Sequence, residues 1–306
     1  MFMLDHAAVS RLAAAGAYDL GRDACVLFGL RGPLPVNTAD VTVGKEKPVR
    51  VVAPDHEHLR CTLGVQFPRE EVLLAVPGST VPHRKAVEAA KAAGGRGANQ
   101  VLPGLLRFEK GLHPRSGATP QQQASLHAID FPYQRSADDL DYDQDAPVLF
   151  ETPGDNIRCA CRESPADPGF DSNACLVVAG FAHRPGKPGS RAMGYWPRFR
   201  DAAYGFGRSR FAFLLALGSE AEAAAAAPAG TLPLRLRFGS SGPEVKSVQA
   251  SLVKAGLLGR ADANGSYDKP TLRAVMEAQR RAGLATDGTC GLNTADALDI
   301  ADWPRV

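Results

Sequence analysis

The sequence predicts an α+β protein: a mainly β domain over residues 1–217 and a small all-α, three-helix domain over residues 234–306. Three observations carry this reading. Short apolar, β-branched runs recur through the first part of the chain. After residue 243 the apolar positions return at helical spacing. Between the two lies Gly218 to Pro233, rich in alanine, without a pattern of large apolar residues, and closed by proline. It reads as a short linker, helical in part. The length of 306 residues suits about two domains.

Within the large domain, Cys61–Phe67 and Glu71–Val76 read as strands joined by a hairpin turn at Pro68-Arg69-Glu70, and Pro77-Gly-Ser-Thr80 is expected to break the second strand. His83 to Ala93 has helical spacing, with Val87 and Ala90 on one face and Gly94-Gly95 as its stop. Residues 101–108, 146–150, 175–179 and 210–217 read as further strands. Tyr195 to Tyr204 reads as a helix with Pro197 in its first turn. The alternating acidic run Asp138, Asp139, Asp141, Asp143, Asp145 lacks the turn glycine and closing glutamate of a calcium loop, so a solvated loop is expected.

Hydrophobic residues make up 44% of the chain and charged residues 22%, enough apolar material for a core. A net charge of +2 projects no field toward nucleic acid. The N-terminal segment lacks the pattern of a secretory signal, and no run is long enough to span a membrane. The six cysteines form no paired CxxC motifs; Cys159-Ala160-Cys161 is too tight for an ordinary zinc half-site. Cys25, Cys61 and Cys290 are expected to be small buried hydrophobes, and a disulfide within the 159, 161 and 175 group is open to a protein that matures outside the cytoplasm.

In the small domain, Pro243 opens a helix whose Val245, Val248 and Leu252 share one face; Asn264-Gly265 turns, and Asp268 with Pro270 starts a second helix bearing Leu272, Val275 and Met276. Asp287-Gly288 turns into a third, with Leu292, Ala295 and Leu298. These residues resemble the type 1 peptidoglycan-binding domain. Its GxxGxEVxxLQxxL element is met by Gly239, Gly242, Glu244, Val245, Gln249 and Leu252, with Val248 for a leucine. Its DGxFGxxT element corresponds to Asn264 to Asp268 and Thr271, and AVxxFQ to Ala274-Val275 and Ala278-Gln279. DGxxGxxTxxAL is complete in Asp287, Gly288, Gly291, Thr294, Ala297 and Leu298. The resemblance implies peptidoglycan as partner and the cell wall or periplasm as site of action. Tyr267, Asp287 and Thr289 are candidate ligand contacts, or else turn residues.

Chemistry is then expected in the large domain, since a wall-binding module raises the local concentration of what it carries. The candidate strip runs from Gly154-Asp-Asn-Ile-Arg158 to Phe170-Asp-Ser-Asn-Ala-Cys175. A thiol nucleophile at a strand mouth needs a histidine, a cation or a helix N-terminus to lower its pKa. This strip resembles the active-site motif of L,D-transpeptidases, in which a histidine precedes Ser-x-Gly-Cys by some fourteen to eighteen residues. The resemblance implies Cys175 as nucleophile, Ser172 and Asn173 shaping its turn, and acyl transfer on stem peptides without a metal or organic cofactor. Here Arg158 holds the position of the base histidine, Ala174 that of the glycine and Asn173 that of a second histidine. Arginine stays protonated and is no base, though it can stabilise a thiolate.

Three readings follow. An active acyltransferase requires an exposed Cys175 with a histidine in reach, displaced candidates being His183, His127 and His113. An inactive wall-binding relative requires Arg158 paired with Asp155 or Asp171. A different hydrolase predicts a cluster around His113, His127 and Asp130.

Overall fold

The computed structural model describes residues 1–21, 25–94, 98–112, 124–128, 131–135, 140, 142, 148–151, 155–183, 189 and 191–304, with the backbone alone at 112, 124–128 and 151. The acidic run 138–145 falls outside the described residues apart from 140 and 142, as do His113 and Asp130.

A curled sheet of eight strands closes into a barrel. Its members are β2 (Val26–Arg31), β5 (Cys61–Phe67), β6 (Val72–Ser79), β8 (Gly104–Leu112), β9 (Ala124–Ala128), β12 (Asn156–Cys159), β13 (Leu176–Val178) and β14 (Arg210–Leu217). The order around the barrel is β12-β13-β6-β5-β2-β14-β8-β9, and β9 pairs back onto β12. Two three-stranded sheets flank it. One joins β1 (Phe2–Asp5), β4 (Glu46–Val51) and β3 (Pro33–Pro35); the other joins β11 (Val148–Glu151), β10 (Phe131–Arg135) and β7 (Asn99–Val101).

The barrel strands read as continuous apolar runs because both of their faces are covered. On β14, Phe211, Phe213 and Leu215 point inward with Leu27, Leu63, Phe108 and Ile157, while Ala212, Leu214 and Ala216 point outward. Helix α1 (His6–Ala15) and helix α4 (Gly218–Ala226) cover that outer face with Ala8, Val9, Leu12, Ala221 and Ala224. The first nine residues of the alanine-rich segment are therefore a packed helix. Its buried face is made of alanines, which let helix and sheet approach closely and leave no stripe of large residues to read.

Helix α2 (Arg84–Ala92) starts at His83, whose ring nitrogen accepts the Lys85 N–H at 3.1 Å. Helix α3 (Tyr195–Tyr204) buries Trp196 and Phe199 against the barrel core. The hairpin β5–β6 forms as expected, but β6 runs on through Pro77 and Gly78 to Ser79. Pro77 needs no N–H there, and its carbonyl accepts from Ala179 at 2.9 Å. At Gly78 a Cβ would stand 2.3 Å from the Val177 carbonyl oxygen, so only glycine lets the β13 backbone approach. The strand expected over 101–108 is split into β7 and β8.

The C-terminal unit is three helices: α5 (Pro243–Lys254), α6 (Lys269–Arg281) and α7 (Leu292–Ala297). They enclose Val245, Val248, Leu252, Tyr267, Leu272, Val275 and Ala295, and this core also takes in Leu102 and Phe150 from the first part of the chain. Among the described residues, no helix is long and apolar enough to cross a membrane.

Candidate functional site

Strands β12 and β13 lie side by side and parallel, with Arg158 opposite Val177. This brings Arg158 to Cys175, seventeen positions apart in sequence. Cys175 is only 5% exposed, under Leu59, Phe170 and Val177. Its Sγ accepts the Asn156 N–H at 3.5 Å and a hydrogen bond from the Arg158 guanidinium. Burial pushes the thiol pKa up; Arg158 pulls it down and Asp155 adds to the rise, leaving it raised.

The Arg158 side chain, itself buried, is engaged elsewhere as well. Its Nη1 donates to the Cys159 carbonyl at 3.0 Å and its Nη2 to Asp171 Oδ1 at 3.2 Å. Burial disfavours its charge, but Cys175 and Asp171 outweigh that, so its pKa stands above the ordinary value. Of the pairing expected for an inactive relative, the Asp171 partner is present.

Ser172 is buried and holds the turn: its Oγ donates to the Cys175 carbonyl at 2.7 Å, and its own carbonyl accepts the His83 N–H at 2.9 Å. Asn173 is exposed at the tip of that turn. Among the described residues no histidine bonds to Cys175. His183 is exposed. His83 packs its ring edge-on against Phe170 at 5.0 Å, and His56 binds the Pro82 carbonyl at 2.7 Å; burial lowers the pKa of both. The backbone of His127 pairs with Asn156, beside the site. The cluster expected around His113, His127 and Asp130 rests on residues whose side chains lie outside the description.

Asp155 is the titratable group that sequence reading undervalued. Its Oδ2 accepts from Asn99 Nδ2 at 2.9 Å, and Asn99 Oδ1 in turn accepts from Arg135 Nε at 2.9 Å. Burial drives its pKa from 3.8 up to about 6, against the pull of Asn99, Arg135 and Arg158. The relay joins β7, β10 and the start of β12, which no local pattern connects. Next to it, Cys159 and Cys161 place their sulfurs 3.6 Å apart as thiols, with Cys161 in the left-handed region at φ 51°. Cys25, Cys61 and Cys290 are buried, as expected. No group of three or more metal-ligating side chains converges among the described residues.

In the C-terminal unit, two glutamines act as matching clamps. Gln249 Nε2 donates to the Ser266 carbonyl at 3.0 Å and to Thr271 Oγ1 at 2.9 Å, while its Oε1 accepts the Gly265 N–H at 2.7 Å. Gln279 repeats this on the next turn, donating to Asp287 Oδ1 at 2.9 Å and to the Thr289 carbonyl at 3.0 Å, and accepting the Gly288 N–H at 3.0 Å. Each clamp ties a helix to an Asn-Gly or Asp-Gly turn. Tyr267 is buried and its hydroxyl donates to the Gly288 carbonyl at 2.8 Å, so of the three candidate contacts it is structural. Asp287 and Thr289 line a recess of about 390 Å³.

Residues 241–298 match the family described as Putative peptidoglycan binding domain. The N-acetylmuramoyl-L-alanine amidase CwlL of Bacillus licheniformis is 44% identical over 64 residues, which is 21% of this chain and 18% of that protein. A probable N-acetylmuramoyl-L-alanine amidase of the same species is 43% identical over 68 residues, 22% of this chain and 19% of that protein. The chain thus matches about a fifth of the length of these relatives. No solved structure matches it. The match falls on the helices and turns held by the two glutamine clamps: the C-terminal unit is a peptidoglycan-binding domain.

Proposed function

We propose that this protein is a cell-wall-binding protein in which residues 234–306 seize peptidoglycan and residues 1–217 form an L,D-transpeptidase-like barrel that has lost acyl transfer. The observation that carries this is the state of Cys175. Its thiol is buried with a raised pKa, its neighbouring cation is tied to Asp171, and no described histidine bonds it. A nucleophile needs an accessible thiolate and a partner that takes its proton. Burial denies the first need, and Arg158 cannot meet the second, since it is already charged and held.

The test is mass spectrometry of disaccharide-tetrapeptide muropeptides incubated with the full chain and with Cys175→Ala. Unchanged substrate with both proteins, alongside co-sedimentation with sacculi, is the expected result. Release of the terminal D-alanine or formation of stem dimers by the wild type alone would restore Cys175 as a nucleophile. A second reading, wall hydrolysis from another site, draws on the two amidases that carry a similar wall-binding module. Cleavage that survives Cys175→Ala would select it.

A further inference from the structure

The polar side chains that define the wall-binding motif are spent on hydrogen bonds inside the domain, so a ligand must be met by other groups beside them. Gln249, Gln279, Thr271 and Thr294 all close hydrogen bonds inside the domain. Gln279 and Thr294 border a recess of about 390 Å³ between the turn before α7, the entering segment at 233–235 and the chain at 303–304. Leu292, 41% exposed, and the flank of Trp303 give it an apolar wall, and Asn293 a polar one.

Two opposite charges line the same recess. The exposed Asp287 uses Oδ1 for Gln279 and for the Thr289 N–H at 2.8 Å, and its Oδ2 enters no hydrogen bond among the described residues. Arg235 is anchored through its backbone N–H to the Ala15 carbonyl at 2.8 Å, while its guanidinium side chain is 52% exposed. Its ion pair to Glu220 is long at 3.7 Å, and Glu220 is held more closely by Arg237 at 2.6 Å. With its own side chain half in solvent and Glu220 already taken by Arg237, the Arg235 guanidinium is held weakly and is open to a better anion.

We propose that this recess is the stem-peptide subsite of the wall-binding domain: Arg235 takes a stem carboxylate and Asp287 the free side-chain amine of a diamino acid in the stem. A guanidinium fits a carboxylate through two parallel N–H donors, and the free Asp287 oxygen accepts from an ammonium. The amine is free only in a stem that has not been cross-linked through it, so the domain selects stems that have not served as acyl acceptors. This rests on the reading that residues 241–298 bind peptidoglycan.

The test titrates the full chain with a soluble disaccharide-tetrapeptide whose stem carries a diamino acid, and with the same compound N-acetylated on the side-chain amine. Asp287→Asn, which keeps the oxygen that Gln279 and Thr289 use, and Arg235→Gln are compared with wild type, and thermal melts confirm that each folds. We expect each substitution to weaken binding about tenfold, the loss of one charge-assisted contact. Acetylation should weaken wild type as much and Asp287→Asn no further. Variants that bind like wild type, or acetylation without effect, overturn the subsite while sacculus co-sedimentation leaves wall binding standing. Failure of the wild type to sediment with sacculi overturns both.

Discussion

At the position of Cys175 the chain keeps a thiol and buries it, and burial outweighs the pull of Arg158 and the Asn156 N–H toward the thiolate. Accessibility and pKa both govern thiol reactivity, and both are unfavourable here. Of the six cysteines only Cys161 is partly exposed. Timed alkylation at neutral pH should therefore label Cys161 first and Cys175 only as the protein unfolds; rapid labelling of Cys175 would contradict the buried geometry. Asp155 gives a pH signature. Its folded pKa of about 6 lies above the ordinary 3.8, so the folded state binds this proton more tightly than the unfolded chain. Stability from this group is present below the unfolded value and is lost as pH rises toward 6. Asp155→Asn should match wild type near pH 4 and exceed it by about 2–3 kcal/mol at pH 7.5 in denaturant titrations. An unchanged difference across that range would remove the case for a desolvated carboxyl.

Among the elements, the repeated glutamine clamp explains why the wall-binding domain is compact with so few residues. Each clamp fixes a helix, a turn and the start of the next helix through one buried amide. Removing the Gln279 amide strands the buried Gly288 N–H and leaves the Thr289 carbonyl only the longer hydrogen bond from Thr294 Oγ1 at 3.3 Å. Gln279→Ala should cost about 2–4 kcal/mol, several net hydrogen bonds and a desolvation penalty. Gln279→Glu keeps the acceptor for Gly288 but loses the donors toward Asp287, and should cost no less. Calorimetry of the full chain reads both. The helix α4 makes a contrasting point, since its stability comes from tertiary contact and not from a pattern of large residues.

For the whole molecule, the wall-binding domain is docked on the barrel. Glu220 of α4 accepts from Arg237 Nη1 at 3.0 Å and Nη2 at 2.6 Å, and both side chains are nearly buried. Backbones meet at Gly239, where φ is 91° and a Cβ would stand 2.3 Å from the Leu105 carbonyl oxygen. Gly239→Ala should thus cost on the order of 2–3 kcal/mol from strain and clash, and should split a joint thermal transition into two. Burial alone would raise the Glu220 pKa, yet Arg237 holds it lowered. Its stabilisation is complete above the unfolded carboxylate range and is lost as pH falls through the folded value. Glu220→Gln should destabilise by about 3–5 kcal/mol at pH 7, with the gap closing in acid; a gap independent of pH would show that the charge is not what stabilises the joint.

The sequence by itself determined the wall-binding domain. Its helices, turns and clamps lie within some sixty consecutive residues, so helical spacing, Asn-Gly and Asp-Gly turns and the two glutamines are all written locally. It also determined the strands 61–67 and 210–217, the helix 195–204 and the nearness of Arg158 to Cys175, because a short crossover between parallel strands brings those two positions together. Barrel closure by β9 on β12, the passage of β6 through Pro77 and Gly78, the docking of α4 and the Arg135–Asn99–Asp155 relay were decided by tertiary structure alone. Each joins residues far apart in the chain, and burial, which sets the pKa values of Cys175 and Asp155, is a property of what packs over a residue and not of its neighbours in sequence.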